Sequence, residues 1–157
     1  MTPQSLETGT LSLSKSRLRL WLKLLKSSSL LEERIRRLLR EEFQSTLPRF
    51  DVMSALSRSP EGLKMSQISD MLRVSNGNVT GIVDRLTEEG LALRVAVPGD
   101  RRASLVRLTP KGKTAFAEQA RAHELWINDM LDGLNADDVD GMIRRLDYLN
   151  DTLEEND

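Results

Sequence analysis

The chain of 157 residues has no cysteine and a single histidine, His123. The first absence excludes disulfides, thiolate metal sites and cysteine-based redox sensing, and it fits a reducing cytoplasm. The second argues against a histidine-rich metal site. Aromatic residues make up only 4% of the chain, so a core has to be built from Leu, Ile, Val and Met, which suits packed helices. Apolar runs stop after a few residues, far short of a membrane span. Residues 1–10 lack the basic start and apolar stretch of a secretory signal. The catalytic signatures are missing too: there is no GxSxG elbow, no glycine-rich phosphate loop and no HExxH zinc motif. The expected class is a cytoplasmic, non-enzymatic protein without a bound cofactor and with no membrane contact.

The formal net charge of −1 hides a strong asymmetry. Residues 1–63 sum to +4, residues 64–113 to +4 and residues 114–157 to −9. A mildly acidic whole is thus compatible with a nucleic-acid partner, because what matters is where the positive charge lies.

Residues 1–13 read as a flexible, polar N-terminal arm. From about 14 to 44 the apolar residues Leu18, Trp21, Leu22, Leu25, Ile35, Leu38 and Leu39 recur at helical spacing. Ser27, Ser28 and Ser29 interrupt that stripe, where they either kink the helix or lend hydroxyls to a pocket. Pro48 suits the first turn of a second helix reaching about Arg58, and Ser59-Pro60-Glu61-Gly62 carries turn chemistry. Ser66 is the expected N-cap of a third helix and Ser75 of a fourth, with Val74 stapled onto Val79. The fourth helix buries Val79, Ile82, Val83 and Leu86, and Gly90 stops it. Residues 91–97 and 103–108 are β-rich around a turn at 98–102, which predicts a hairpin. Thr109-Pro110 opens a fifth helix that Gly133 ends. Asn135 caps a sixth, whose stripe is Val139, Met142, Ile143, Leu146, Leu149 and Leu153.

This order is a winged helix-turn-helix: a mainly α fold with a small β-hairpin wing, the DNA-reading lobe spanning about 47–109. Helices at about 14–44 and 110–154 flank it, within one domain at 14–157. A recognition helix needs a short, polar N-terminal face that can bond base edges. Here that face offers Ser75, Asn76, Asn78 and Thr80, and Asn suits bidentate bonding to adenine. Arginines at a hairpin tip, Arg101 and Arg102, suit a narrow minor groove. Asp100 beside them would orient an arginine or tie down the wing. Arg85, Arg94, Arg107 and Lys64 are candidate phosphate contacts. A winged helix used only for protein contacts is the alternative, since fold does not fix function.

The segment Val83-Asp84-Arg85-Leu86-Thr87-Glu88-Glu89-Gly90-Leu91 is followed by Gly99-Asp100-Arg101-Arg102-Ala103 and by Val106-Arg107-Leu108-Thr109-Pro110-Lys111-Gly112. In this order the motifs resemble the MarR family of bacterial regulators, and the helix order extends the likeness to nearly the whole chain. The resemblance implies a homodimeric winged-helix protein on double-stranded DNA, usually a repressor released by a small ligand. It places the wing aspartate at Asp100 and the wing-tip arginine at Arg102. It also makes the first and last helices the dimer interface. The apolar surface of Leu11, Leu13 and the 139–153 stripe permits that independently.

A small organic effector would need an apolar pocket with a few polar groups. Trp21, Leu25, Phe50 and Met53 are candidate lining residues, with simple core packing as the other reading. Arg19-Leu20-Trp21-Leu22-Lys23-Leu24-Leu25, the basic run at 34–40 and Thr46-Leu47-Pro48-Arg49-Phe50-Asp51-Val52-Met53 resemble a MarR subgroup that answers to hydroxycinnamoyl-CoA thioesters. Arg36 and Arg40 share a helix face and could meet CoA phosphates. The same arginines could instead form salt bridges with Glu32, Glu33 and Glu41 along a helix surface.

Overall fold

The computed structural model describes residues 3–72 and 76–157, with side chains at 12–72, 78–100 and 102–157. Among these residues there are six helices and one hairpin. They run α1 (Pro3–Phe43), α2 (Leu47–Ser57), α3 (Met65–Leu72), α4 (Asn76–Glu88), β1 (Ala92–Val97), β2 (Asp100–Leu108), α5 (Pro110–Met130) and α6 (Ala136–Glu155). The expected winged helix-turn-helix with flanking helices is what the chain forms. It divides into two compact units, Met1–Ala120 and Arg121–Asp157. No helix among the described residues is long and apolar enough to cross a membrane.

Helix α1 is longer than its apolar stripe. It starts at Pro3, where an arm was expected, and runs through the three serines without a break. Proline fits a first turn because its missing N–H has no intrahelical partner there. A lone glycine such as Gly9 costs a helix only about 1 kcal/mol. Among the described side chains of α1, only Ile35 and Leu39, toward its far end, are buried. Gln44 then turns the chain in a left-handed conformation (φ 49°). Thr46 caps α2, accepting from the Arg49 amide at 3.3 Å, with Pro48 in the first turn.

Helices α2, α3 and α4 bury one apolar cluster with the wing: Val52, Met53, Leu56, Leu63, Ile68, Val79, Val83, Leu86, Ala92, Val106 and Leu108. Helix α3 begins two residues earlier than its serine suggests. The Gln67 side chain reaches back to accept the Lys64 amide at 2.8 Å, so Lys64 stands at the cap and Ser66 lies inside the helix. The expected Ser75 cap and Val74 staple fall outside the described residues.

Helix α4 ends in a Schellman motif. The Leu91 amide donates to Leu86 O at 2.8 Å and the Gly90 amide to Thr87 O at 3.0 Å, with Gly90 at φ 76°. The hairpin that follows pairs Ala92 with Leu108 through Ala96 with Ser104, antiparallel. Leu63 adds a one-residue third strand, exchanging both backbone bonds with Val106 at 2.9 and 2.8 Å.

Helix α5 is fastened where it starts. Thr109 accepts the Gly112 amide at 3.0 Å and donates its hydroxyl to Gly90 O at 2.6 Å. Lys111 Nζ donates to Glu89 O at 3.0 Å. A Cβ on Gly112 would sit 1.9 Å from Leu91 O, so only glycine allows this approach. One turn on, Phe116 meets Phe50 of α2 with ring centroids 5.4 Å apart.

In the second unit, Asn135 and Asp138 form a reciprocal capping box at the start of α6, as the sequence predicts. No residue of α6 is buried.

Gly112→Ala should lower stability by about 3 kcal/mol, because the new methyl overpacks against an immobile backbone carbonyl. Gly81→Ala, in open space on α4, should instead raise it by about 0.5–1 kcal/mol through reduced chain entropy. Urea unfolding of the two variants reads both signs.

Candidate nucleic-acid interface

The core decides which face of α4 is outside. Val79, Val83 and Leu86 are fully buried, so Asn78, Thr80, Gly81, Asp84, Arg85 and Glu88 are exposed on the opposite side. Asn78 and Thr80 lie near the helix start and Arg85 two turns further on. That is a polar ridge with a cation behind it, a shape suited to a major groove. Asn76 is the first residue of α4, its side chain outside the described set, and Ser75 lies outside it altogether.

The wing differs in detail from the expected five-residue turn. The strands close at Pro98-Gly99, with Gly99 at φ 84°, and β2 already begins at Asp100. Proline followed by a positive-φ glycine is the chemistry of a tight type II turn. The register then slips. Val97 pairs with Asp100 while Ala96 pairs with Ser104, leaving residues 101–103 as a bulge on β2. Bulges re-aim side chains at the rims of sheets, and here the bulge carries Arg101 and Arg102. The side chain of Arg101 is outside the described residues; Arg102 is exposed. Asp100 Oδ1 accepts the Arg102 amide at 3.0 Å. The aspartate thus ties down the wing, one of the two roles foreseen for it.

Two other arginines of the lobe are occupied within it. Arg94 Nη2 meets Asp84 Oδ1 at 2.5 Å, which joins β1 to α4 and takes Arg94 off the roster of simple phosphate contacts. Arg49 holds Glu89 with both guanidinium nitrogens, Nη1 to Oε1 at 3.0 Å and Nη2 to Oε2. No local pattern marks this pair, whose members are 40 positions apart. The only hint was an acidic residue just past the negative end of a helix.

The effector candidates do not converge. Phe50 and Met53 are buried at 6% and 1% exposure, while Trp21 and Leu25 are 54% and 44% exposed on α1. Arg40 is exposed, and Arg36 lies 4.0 Å from Glu32 one turn back, the surface-pair alternative for that run. Within the described residues of one chain these six do not form a single site.

The Arg49 hydrogen bonds hold the Glu89 carboxyl below its ordinary value of 4.5. Partial burial opposes them, and the charges of Arg49, Arg85 and Lys111 assist. A depressed carboxyl pKa contributes stability that is complete above the ordinary value and lost as pH falls through the folded one. Wild-type protein should therefore exceed Glu89→Gln in urea stability at neutral pH, and the gap should close as pH falls below 4.5.

The profile of the MarR family matches residues 45–103. The uncharacterized HTH-type transcriptional regulator YkoM of Bacillus subtilis is 34% identical over 95 residues, 60% of each chain. The chain thus spans three-fifths of that curated relative's length, 60%. A MarR family transcriptional regulator from Silicibacter pomeroyi superposes with a TM-score of 0.71 at 30% identity, covering 92% of this chain and 97% of that one. A mutant MarR from E. coli, solved with operator DNA, has the same fold at 23% identity, with a TM-score of 0.68 over 81% of this chain and 93% of its own. With the helix order, the bulged wing and the Thr109-to-Gly112 anchor in place, the chain belongs to the MarR family.

Proposed function

We propose that this chain is a sequence-specific DNA-binding transcriptional regulator that works in the cytoplasm as a homodimer and binds rather than catalyses. The observation that carries this is the pairing of two features on one lobe. The exposed polar face of α4 presents Asn78, Thr80 and Arg85, and the bulge of β2 carries Arg101 and Arg102 beside it in the winged fold. Asn76 and Ser75 extend the helix face by their position in sequence, and Asp100 holds the bulge. In this reading α4 lies in the major groove and reads base edges, while the wing arginines follow the backbone or enter the minor groove. The operator-bound relative supports it by analogy of fold.

Dimerisation is supported by apolar surface that this chain leaves uncovered. On α1, Leu18, Trp21 and Leu22 are each more than half exposed; on α6, Ile143 is 52% and Leu153 57% exposed. Surfaces of that kind mark an interface. A two-fold dimer would set two α4 helices on a pseudo-palindrome, about one DNA turn apart. Leu146→Asp, central on the α6 stripe, should yield a monomer by light scattering and lose tight operator binding with it.

Fluorescence anisotropy tests DNA binding, with a duplex selected from random DNA by the wild-type protein and with the DNA upstream of its own gene. Arg102→Ala should weaken binding on all sequences and reduce the log–log salt slope by about one. Asn78→Ala should cost about 1–3 kcal/mol on the preferred site and relax choice at one base pair. If no duplex is enriched and binding ignores salt, the protein-interaction alternative replaces this reading. Release of the complex by p-coumaroyl-CoA would place its effector among aromatic acyl thioesters; no release excludes that ligand.

A further inference from the structure

We infer that the Arg49–Glu89 ion pair is a positioning latch for the recognition helix, fixing the angle at which α4 meets DNA; this rests on the DNA-binding reading above. Arg49 lies in the first turn of α2, three residues after its Thr46 cap. Glu89 directly follows α4. A fork-on-fork guanidinium–carboxylate contact constrains orientation as well as distance, because two parallel bonds resist rotation. The contact therefore fixes the turn of α4 against α2.

Three features separate this pair from an incidental surface contact. First, each charge opposes its own helix. Arg49 is a cation at the positive end of α2, and Glu89 an anion at the negative end of α4, so neither position is favourable without the other. Second, the Arg49 side chain is only 17% exposed against 48% for Glu89, and its Nε is buried with no partner among the described residues. The guanidinium is thus set into the lobe and is not displayed to solvent. Third, the same end of α4 is also held by Lys111 on Glu89 O and Thr109 on Gly90 O, at 3.0 and 2.6 Å. The recognition helix is gripped at one end by the starts of both α2 and α5.

Charge alone would assign Arg49 to phosphate contact and Glu89 to repulsion of DNA. A latch gives opposite expectations, which makes the two separable. The experiment uses the full chain and the duplex that the wild type selects from random DNA, with affinity read over a salt series. Glu89→Gln should weaken binding about tenfold, although it removes a negative charge, and it should leave the salt slope unchanged. Arg49→Lys keeps the charge but loses the fork, and should weaken binding to a similar extent. The exchanged pair Arg49→Glu with Glu89→Arg suits both helix ends and should recover most of the affinity. Circular dichroism checks that each variant is folded; should Glu89→Gln fail that check, Arg49→Lys and the exchanged pair carry the test. Binding by Glu89→Gln as tight as wild type or tighter overturns the latch, and so does a salt slope reduced by about one in Arg49→Met. Failure of the wild type to select any duplex defeats the DNA reading itself, and the latch with it.

Discussion

The lobe depends on one close approach, that of Gly112 to the carbonyl of Leu91. A side chain at 112 would put its Cβ 1.9 Å from that oxygen, so α5 can begin here only because residue 112 has none. Everything around the contact uses the proximity. The Thr109 amide bonds Leu91 O at 3.0 Å while its hydroxyl bonds Gly90 O. The Schellman turn at Gly90 supplies those carbonyls by ending α4 at that point. The wing begins one residue after Leu91 and returns at Leu108, so both of its strands leave from this junction. The recognition helix, the wing and α5 thus share one small anchor, and none can shift at its base without disturbing the others.

The same lobe deals with a problem of charge. On the proposed DNA-binding reading the surface should not display carboxylates, yet residues 64–113 contain five acids. Three of them are engaged internally. Asp84 is held by Arg94, Glu89 by Arg49, and Asp100 by the Arg102 amide. Each engagement also fixes geometry: β1 to α4, α2 to α4, and the bulge to its own turn. Exposed ion pairs contribute little to stability on their own, so their value here lies in register and in quenched repulsion. The overall charge of −1 says nothing of this, because the acidic excess lies in residues 114–157.

What the sequence made legible was what local chemistry dictates. Gly90, Thr109-Pro110 and Asn135 mark helix ends by satisfying nearby backbone groups, so they can be read within a few residues of where they act. The burial of Val79, Val83 and Leu86 followed from helical spacing. Pairings without a local pattern were not readable. Leu63 is a strand one residue long and has no alternation to betray it. The bulge at 101–103 depends on register, which is set by both strands together, so the wing arginines looked like turn residues. Ser66 is a better cap than Lys64 by residue type, but Gln67 three residues after Lys64 decided the start of α3 from inside the helix. The effector candidates were grouped by residue type and by likeness to a family subgroup, neither of which sets the distances between them. Core packing claims Phe50 and Met53, while Trp21 and Leu25 remain on the surface of α1.

An α4 anchored at its end constrains how the proposed regulator could respond to a ligand. With its end tied to α2 and α5, the helix is a poor element to reorient alone, since turning it would break the Arg49 fork and the Thr109 and Lys111 bonds together. A ligand can shift an equilibrium only by its differential affinity for two states, typically about 1–3 kcal/mol in allosteric systems. Breaking several charge-assisted bonds at once would consume a coupling of that size before any gain. In the proposed dimer the less costly motion would keep the lobe intact and move it as one body, changing the spacing of two lobes and not the shape of either. In the proposed dimer such control would act through α1, which leads into α2 by the Gln44 turn, and through α5, which leaves from the Gly112 contact. On the proposed reading, the anchor that fixes the recognition helix would therefore also pass displacement of either flanking helix to the whole DNA-reading face.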